Sequence, residues 1–342
     1  MFEPKYRISP QLLGTIKRIT VLVHELNKLV VPEITLAQLQ AEAQAISTFA
    51  STSIEGNPLP LTEVKRLLKK RPEQARQSER EVLNYNQALS ELVQQTDIPF
   101  TKELVLRIHR NVMQGLLPAH QVGHLRQEPI VVRNPRTGDV IYLPPDYQDV
   151  GTLLDDLITF VQAKRGLLDP LLLAGLCHKQ LVIIHPFMDG NGRTTRLATK
   201  VLLAGLGLDT FNLFSFESYY NQNVSRYFQY VGVFGNYYDL VAELDFTPWL
   251  EYFAEGILDE VLRVEKQLER HQATPATALQ PYHQAILEYI DEHGFITDKD
   301  YAQLTDRAKA TRTLDFNKLL ELGLIVRQGR GRNTYYRRPT RS

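Results

Sequence analysis

The sequence lacks several features that would place it in a specialised class of proteins. Cys177 is its only cysteine among 342 residues, so no disulfide can form within the chain, which suits a reducing cytosol. Basic and acidic side chains number 39 each, so net charge gives no overall attraction to nucleic acid or to membranes. Neither an N-terminal signal segment nor an apolar run of about 18 residues is present. We therefore expect a cytoplasmic protein without membrane association.

Metal-ligand spacing of the zinc-binding kind is also missing. No H-E-x-x-H or Cys/His pattern occurs. His178 precedes His185 by seven residues, a spacing that matches no common pair of zinc ligands. His109 belongs to an amphipathic helical pattern and is expected to be structural or at the surface. The sequence thus predicts no zinc site.

Helical signals run through most of the chain, whereas strands are few and short. Ser9 and Pro10 form a helix start, and another helix begins near Thr101. Thr35 with Gln38, and Ser78 with Glu81, have the spacing of capping boxes. Later helices are predicted at about 147–163, 169–184, 193–206, 217–231 and 246–270. The fold class is therefore predicted to be all-α.

One stretch, residues 185–197, concentrates polar groups between two apolar runs. It reads His-Pro-Phe-Met-Asp-Gly-Asn-Gly-Arg-Thr-Thr-Arg-Leu. Gly190 and Gly192 flank Asn191, so the backbone can adopt conformations that a Cβ forbids and successive amides can turn toward one anion. A helix starting there adds unpaired N–H groups and its positive dipole end. The stretch therefore predicts a polyphosphate-binding loop.

Ionisable side chains accompany this predicted loop. Arg193 and Arg196 project from one side of the first helical turn, where cations are unfavourable unless an anion lies between them. Asp189 can hold Mg²⁺ together with substrate phosphates, and His185 can act as a general base near neutral pH. Phe187 is expected to point the other way and to anchor the loop in the core. The alternative is a buried histidine, an apolar hairpin and two surface arginines.

The same stretch resembles the signature of Fic (Fido) proteins, H-x-F-x-[DE]-G-N-G-R-x-x-R, at every specified position. The resemblance implies a helical enzyme that transfers AMP from ATP to a protein hydroxyl. It implies that His185 is the base and that Asp189 is the Mg²⁺ ligand. It also implies that Arg193 and Arg196 hold the outer phosphates. The residues implied for the anion hole are Gly190, Asn191 and Gly192.

A second motif lies upstream, in residues 51–56, Ser-Thr-Ser-Ile-Glu-Gly. A helix should end here with Gly56 in the left-handed conformation, which places Glu55 in a last turn that disfavours anions. From the residues alone, an exposed glutamate at a frayed end is an equal alternative. The segment resembles the inhibitory motif [ST]-x-x-x-E-[GN] of Fic proteins, which implies that Glu55, with Ser51 one turn earlier, pairs with Arg196 and blocks productive ATP binding.

Residues 129–145 contain two β-branched runs around an Asn-Pro-Arg-Thr-Gly turn, which is a hairpin signal. With Gly123 and Arg126 before it, the hairpin resembles the target-docking flap of the family. An edge strand there can pair with an extended segment of a substrate protein. The residues predicted for docking are Ile130, Val131 and Val132. A plain surface hairpin is the alternative.

Tyr227 and Phe228 fall where related enzymes carry paired aromatics near the adenine, although phenylalanine in the second place departs from that pattern. Asn236 is a further candidate for contact with the base, at a spacing one residue longer than expected. The alternative is that the aromatic residues belong to the core.

A linker near 271–281 precedes helices predicted at 281–293, 298–305 and 308–322 and a final hairpin. This order resembles a winged helix. Residues 327–342 carry six arginines and no acid, with Tyr335 and Tyr336 among them, which suits contact with DNA phosphates. A protein-docking or dimerising module is an equal alternative. The predicted domains are residues 1–95, 96–270 and 278–342.

Together these patterns predict an autoinhibited adenylyltransferase that uses ATP and Mg²⁺. Its partner is expected to be a protein with a serine, threonine or tyrosine hydroxyl, and the chain itself is one candidate. Removal of AMP from a modified protein and a DNA-binding regulator that senses nucleotide are the alternatives. A homodimer is also left open.

Overall fold

The structure is a computed structural model that describes residues 2–29, 31–93, 98–133, 137–208, 212–270, 279–329 and 331–339. The chain divides into two units, one of residues 1–29 and 39–267, the other of residues 30–38 and 268–342. Most of the linker predicted at 271–281 lies outside the described residues, as do Arg330 and the turn residues 134–136. No helix in the described ranges has the length and apolar character needed to cross a membrane.

The first unit is helical, with one small sheet. Its helices, each assigned to the unit that holds most of its residues, are α1 (Pro10–Asn27), α2 (Glu33–Ile54), α3 (Leu61–Lys69), α4 (Gln77–Val93), α5 (Lys102–Met113), α6 (Tyr147–Lys164), α7 (Pro170–Ile184), α8 (Asn191–Gly205), α9 (Glu217–Gln222), α10 (Val224–Val231), α11 (Tyr237–Leu240) and α12 (Thr247–Arg270). The prediction of an all-α fold class is confirmed.

Helix α7 forms the centre of this unit. Asp169 caps its start by accepting a hydrogen bond from Leu171 N, and Pro170 occupies the first turn. Every residue from Leu171 to Leu181 is buried, which is the pattern of a helix surrounded on all sides. Because each fully buried leucine contributes about 1.5–3 kcal/mol, α7 fixes the position of whatever follows its C-terminus.

The predicted hairpin is part of a three-stranded sheet. Strand β1 (Val132–Arg133) pairs antiparallel with β2 (Val140–Leu143), and β2 pairs parallel with β3 (Gly235–Asn236). Because β2 lies in the middle, β1 keeps a free edge in the described sheet. Of the docking residues predicted from the sequence, only Val132 lies in a strand; Ile130 and Val131 precede it.

Several helix boundaries differ from the prediction. Helix α2 begins at Glu33, so Thr35 is a buried residue of its first turn rather than its cap. Helix α4 begins at Gln77, and Glu79 accepts from Arg76 N, whereas Glu81 binds the Asn57 amide. In place of the single helix predicted at 217–231, the structure has two helices, α9 and α10.

The break between α9 and α10 has a local cause. Asn223 ends α9 with φ −144° and ψ 77°, outside the helical region, and its side chain accepts a hydrogen bond from Arg226 N, which caps α10. An asparagine cap satisfies an amide that a continuous helix would have paired with the backbone.

The second unit has α13 (Pro281–His293), α14 (Asp298–Leu304), α15 (Lys309–Glu321) and a hairpin of β4 (Val326–Gln328) and β5 (Tyr335–Arg337). Ile296 forms an isolated antiparallel bridge with Tyr336, on the edge of β5 that faces away from β4. This is the element order expected of a winged helix, and the assignment to that class stays a prediction.

Three arginines of this unit are paired with acids. Arg307 binds Asp315 through two nitrogens, and the same arrangement joins Arg312 to Asp298. Arg338 likewise contacts Asp291 through two nitrogens. Of these, only Arg338 belongs to the basic stretch 327–342, and contact of that stretch with DNA stays a prediction.

Candidate active site

The polar loop connects the C-terminus of α7 to the N-terminus of α8. His185 caps α7 in the left-handed conformation with φ 49°, and Gly190 precedes α8 with φ 75°. A positive φ is unusual for a residue with a Cβ and costs on the order of 1 kcal/mol, so the surrounding contacts must hold His185 there. These two changes of chain direction, at His185 and Gly190, hold the histidine and the start of α8 on a rigid framework.

Asn191 and Phe187 fix the shape of the loop. The Asn191 side chain accepts from Phe187 N at 2.9 Å and donates to Phe187 O at 2.8 Å. Phe187 is fully buried, so the prediction that it anchors the loop in the core is confirmed. The side chain of Asn191 therefore braces the loop, and its backbone remains the part that can face an anion.

His109 has a bracing role that sequence reasoning did not assign to it. Its ring stacks on Phe187 with centroids 3.8 Å apart. Its Nδ1 accepts from Gly123 N, and its Nε2 lies 3.0 Å from Asp189 O, which it contacts as a donor. Burial lowers the pKa of His109 to about 4, so the ring is neutral at physiological pH. The pairing joins residues far apart in sequence, which left no local signal.

Arg126 clamps the loop to the flap. Its Nε donates to His185 O at 2.9 Å, and its other nitrogens donate to Pro145 O and Glu128 O. The residue is 3% exposed. The Tyr142 hydroxyl adds a tie by donating to Ile183 O at 2.9 Å. The sheet is thereby fastened to the same backbone segment that presents His185.

The His185 ring is oriented as a base. Its Nδ1 lies 2.8 Å from Val182 O, a carbonyl that can only accept, so Nδ1 carries the proton and Nε2 keeps its lone pair. Burial lowers the pKa of His185 below its usual value, against the opposing effect of the Val182 hydrogen bond. The neutral imidazole is therefore the prevailing form near pH 7.

The start of α8 presents unpaired donors. Thr194 N donates to Gly190 O, so the three preceding amides come before the first hydrogen bond of the helix. Nε and Nη1 of Arg193 and Nη1 of Arg196 are buried without a hydrogen-bond partner. Arg193 Nη1 lies 3.8 Å from Glu81, within ion-pair range only. Buried guanidinium groups with unpaired donors fit an anionic ligand.

Glu55 contacts Arg196 as the resemblance implied. Its Oε1 lies 2.7 Å from Arg196 Nη2, and Ser51 accepts from Arg196 Nε at 2.7 Å and from Nη2 at 2.9 Å. The Glu55 side chain is 27% exposed and Arg196 is fully buried. Burial works against ionisation, but Arg196 and Arg193 together lower the pKa of Glu55, which keeps it charged. Ser51 thus shares the guanidinium with the carboxylate.

Gly192 explains how the carboxylate comes so close to the loop. A Cβ at this position would lie 2.1 Å from Glu55 Oε1 and 3.0 Å from Arg196 Nη1. The absent side chain leaves the space that the carboxylate occupies, directly above the start of α8. Glu55 therefore fills part of the predicted anion site.

Asp189 is the predicted Mg²⁺ ligand. Its side chain is 62% exposed, and Oδ1 accepts from Gly190 N at 2.5 Å and lies 3.4 Å from Arg193 Nη2. Among the described residues, no group of three or more His, Cys, Asp and Glu side chains could hold a metal. A lone exposed carboxylate fits Mg²⁺ only where phosphate oxygens and waters supply the other ligands.

Tyr227 and Asn236, the residues predicted to contact the adenine base, lie outside the loop of residues 185–197. Tyr227 is 1% exposed, its hydroxyl contacts His178 Nε2 at 3.0 Å, and its ring stacks on Tyr220. It is buried in the core, and its contact with adenine stays a prediction. Asn236 is half-buried in β3 and caps α11 through Tyr238 N. Its contact with the base stays a prediction.

Comparison with known proteins agrees with this geometry. Residues 99–203 match the model of the Fic/DOC family. The chain is 28% identical over 271 residues to Protein adenylyltransferase Fic of Culex quinquefasciatus, covering 76% of this chain and 49% of that protein. With the protein of the same name from Aedes aegypti it shares 27% identity over 228 residues, 64% of this chain and 41% of that one.

Solved structures show the same fold. A Fic family protein from Desulfovibrio desulfuricans superposes with a TM-score of 0.68 at 22% identity, covering 100% of this chain and 99% of that one. Fic-1 from C. elegans gives a TM-score of 0.59 at 22% identity over 76% of this chain and 74% of that one. The chain spans less than half the length of the adenylyltransferases it matches. The similarity to the Fic/DOC family model lies in residues 99–203, which include the loop of residues 185–197.

Proposed function

We propose that this chain is a protein adenylyltransferase, which transfers AMP from ATP to a hydroxyl side chain of a protein. The observation that carries the proposal is the neutral His185, whose Nε2 has a free lone pair. It lies beside a helix start with unpaired amides and unpaired arginine donors. A base and an anion site in one loop are the two requirements of nucleotidyl transfer to a hydroxyl. The names of the relatives support the same activity.

The proposed reaction is a single displacement. His185 Nε2 takes the proton of the target hydroxyl while its oxygen attacks the α-phosphorus. The bond between the α-phosphorus and the bridging oxygen to the β-phosphate breaks, and pyrophosphate leaves with that oxygen. The amides at the start of α8, with Arg193 and Arg196, offset the charge of the phosphates. The products are an adenylylated hydroxyl and pyrophosphate.

Asp189 is the residue proposed to hold Mg²⁺. Its exposed carboxylate lies at the start of the loop, where the ion's remaining ligands would be phosphate oxygens and waters. When bound, the ion would neutralise part of the triphosphate charge. Arg193 Nη2, 3.4 Å from Asp189 Oδ1, keeps the carboxylate near the anion site.

Glu55 is proposed to inhibit the transfer. Its carboxylate occupies space above Gly192 and engages Arg196, so the outer phosphates of ATP and the carboxylate compete for one guanidinium. A hydrogen bond between charged groups is worth about 1.5–3 kcal/mol, so its removal should raise transfer about tenfold to hundredfold.

The protein target is proposed to dock along the flap. Strand β1 has a free edge in the described sheet, and Val131 beside it is 40% exposed. An extended segment of the target that adds to this edge would bring its hydroxyl toward His185, because Arg126 ties the flap to that residue. The chain itself is a candidate target.

The test uses ATP labelled at the α-phosphate and intact-mass analysis of the purified chain. Glu55→Gly should acquire label on itself or on an added protein faster than wild type, and Glu55→Gly with His185→Ala should acquire none. Absence of nucleotide binding and of transfer in Glu55→Gly would refute the proposal.

Removal of AMP is the second candidate, because Glu55 reaches the anion site and could orient a water there. For this activity, wild type should remove label from a protein that already carries labelled AMP, and Glu55→Gly should not.

A further inference from the structure

The chain reverses its direction directly after Glu55, and backbone hydrogen bonds hold the turn. Gly56 N donates to Ser53 O at 2.9 Å. Asn57 N donates to Thr52 O at 3.1 Å. With Gly56 in the left-handed conformation at φ 88°, these two bonds form a Schellman motif at the end of α2. Glu55 is the residue between the helix and this turn, so its position depends on what the turn is attached to.

Asn57 occupies the place in this motif where an apolar side chain frequently contacts the helix. It is 8% exposed, and its side chain makes hydrogen bonds instead. Oδ1 accepts from Leu59 N at 3.2 Å, which identifies the other end of the amide as the donor. Nδ2 donates to Ser78 O and to Glu81 Oε2, both at 2.9 Å. Both donors of the amide therefore bind α4.

Helix α4 belongs to the framework that holds the polar loop. The side-chain amide of Asn84 donates to two carbonyl oxygens at the end of α5, at 3.1 and 2.8 Å. Helix α5 also carries His109, whose Nε2 contacts Asp189 O at 3.0 Å. Asn57 therefore fastens the turn after α2 to the helices that fix the loop.

The contact between Glu55 and Arg196 depends on this attachment. The Glu55 side chain is 27% exposed, and its Oε1 lies 2.7 Å from Arg196 Nη2. Holding a glutamate in one rotamer has an entropic cost, so the contact persists only where the backbone presents the carboxylate in the right place. The turn held by Asn57 is the backbone that does so.

We propose that Asn57 is a positioning residue which, by fastening the turn to α4, holds the Glu55 carboxylate on Arg196. The inference rests on the proposed function, because it assigns Asn57 an effect on ATP binding. Loosening the turn lets Glu55 move away and makes Arg196 available to the outer phosphates. Loss of Asn57 should therefore strengthen ATP binding, whereas damage to the ATP site would weaken it.

The test measures the affinity of the whole chain for MgATP by calorimetry in a double-mutant cycle. In the wild-type chain, Asn57→Ala should tighten ATP binding about tenfold, the effect of one hydrogen bond to a charged group. In the Glu55→Gly background the same substitution should leave ATP affinity unchanged, because no carboxylate remains to be released. AMP lacks the outer phosphates that compete with Glu55, so its affinity should stay the same in both backgrounds.

The matched control is Asn111→Ala. Asn111 also joins two helices by donating to a glutamate, with its Nδ2 2.7 Å from Glu91 Oε2. Glu91 lies about 15 Å beyond Glu81 along α4, at 1.5 Å per residue, so this contact is remote from the turn. The substitution should lower the melting temperature and leave ATP affinity unchanged.

Unchanged ATP affinity in Asn57→Ala and in Asn57→Leu would overturn the inference. Leucine keeps a side chain of similar size and suits this position of the motif, so Asn57→Leu decides if the alanine variant does not fold. A gain of equal size with and without Glu55 would also overturn it, because Asn57 would then act through Glu81 on Arg193, 3.8 Å away. Weaker binding of both ATP and AMP would indicate damage to the fold and would contradict it too. If Glu55→Gly binds no ATP, the proposed function fails and this inference fails with it.

Discussion

Two sets of arginines, one in each unit, differ in how their hydrogen-bond donors are paired. In the second unit, Arg307, Arg312 and Arg338 each meet a carboxylate through two nitrogens, as expected of residues that stabilise a fold. In the first unit, Arg193 and Arg196 are buried more deeply and yet keep unpaired donors. Buried donors without partners destabilise a protein, so their presence at a helix start indicates a ligand that completes them.

The strongest test of this contrast exchanges one arginine of each kind for alanine. In the Glu55→Gly background, Arg196→Ala should lower ATP affinity about a hundredfold, because a buried charge–charge contact worth about 3 kcal/mol is lost. Arg312→Ala should leave ATP affinity unchanged. Calorimetry with MgATP measures both, and equal losses would remove the distinction between the two sets of arginines.

A ligand that completes the unpaired donors should also stabilise the fold. At an ATP concentration of about 100 times Kd, binding adds about 2.7 kcal/mol to the free energy of unfolding. Glu55→Gly should therefore show a clear rise in melting temperature with MgATP, and wild type a smaller one. Differential scanning calorimetry at matched protein concentrations decides, and a larger rise in wild type would contradict the inhibitory role of Glu55.

For the arginine–carboxylate pairs of the second unit we expect the opposite: their loss should affect stability and leave AMP transfer unchanged. Asp315→Ala leaves the Tyr301 hydroxyl and Arg307 without their acceptor, so it should lower the free energy of unfolding of the second unit by about 1–3 kcal/mol. AMP transfer by the Glu55→Gly chain should not change. Urea denaturation gives the first quantity, and label transfer from ATP gives the second.

The smallest effect expected near neutrality concerns pH. The base must be neutral, and burial lowers the pKa of His185, so the neutral form persists below the ordinary histidine pKa of 6.5. Transfer by Glu55→Gly should thus be flat around pH 7–8 and fall only in acid, with a midpoint below 6.5. A rate profile with its midpoint above 6.5 would indicate that another group titrates.

Features that depend on residues close together in the chain were predictable from the sequence. The loop at 185–197, the reversal at Gly56 and the cap at Thr101 each depend on neighbours within a few positions, and the structure places them as expected. The pair of Glu55 and Arg196, 141 residues apart, became visible only because a family resemblance supplied the partner.

What could not be predicted depends on contacts between distant helices. Nothing local links Tyr85 to Glu217 across 132 residues, or His109 to Asp189 across 80. Helices α2 and α4 begin before Thr35 and Ser78, the caps that the local spacing indicated. The contact of Tyr227 with adenine stays a prediction, because a buried aromatic and an adenine-facing one look alike in a single sequence.

Gly192 has a consequence for how the protein responds to nucleotide concentration. Glu55 and a phosphate cannot occupy the space above it together, so the apparent Kd for ATP should equal the intrinsic Kd divided by the fraction of molecules in which the carboxylate has moved away. Any event that changes this fraction rescales the ATP response curve by the same factor while every contact to the nucleotide stays the same. In the proposed inhibition, sensitivity to ATP is thereby set by the equilibrium of one side chain.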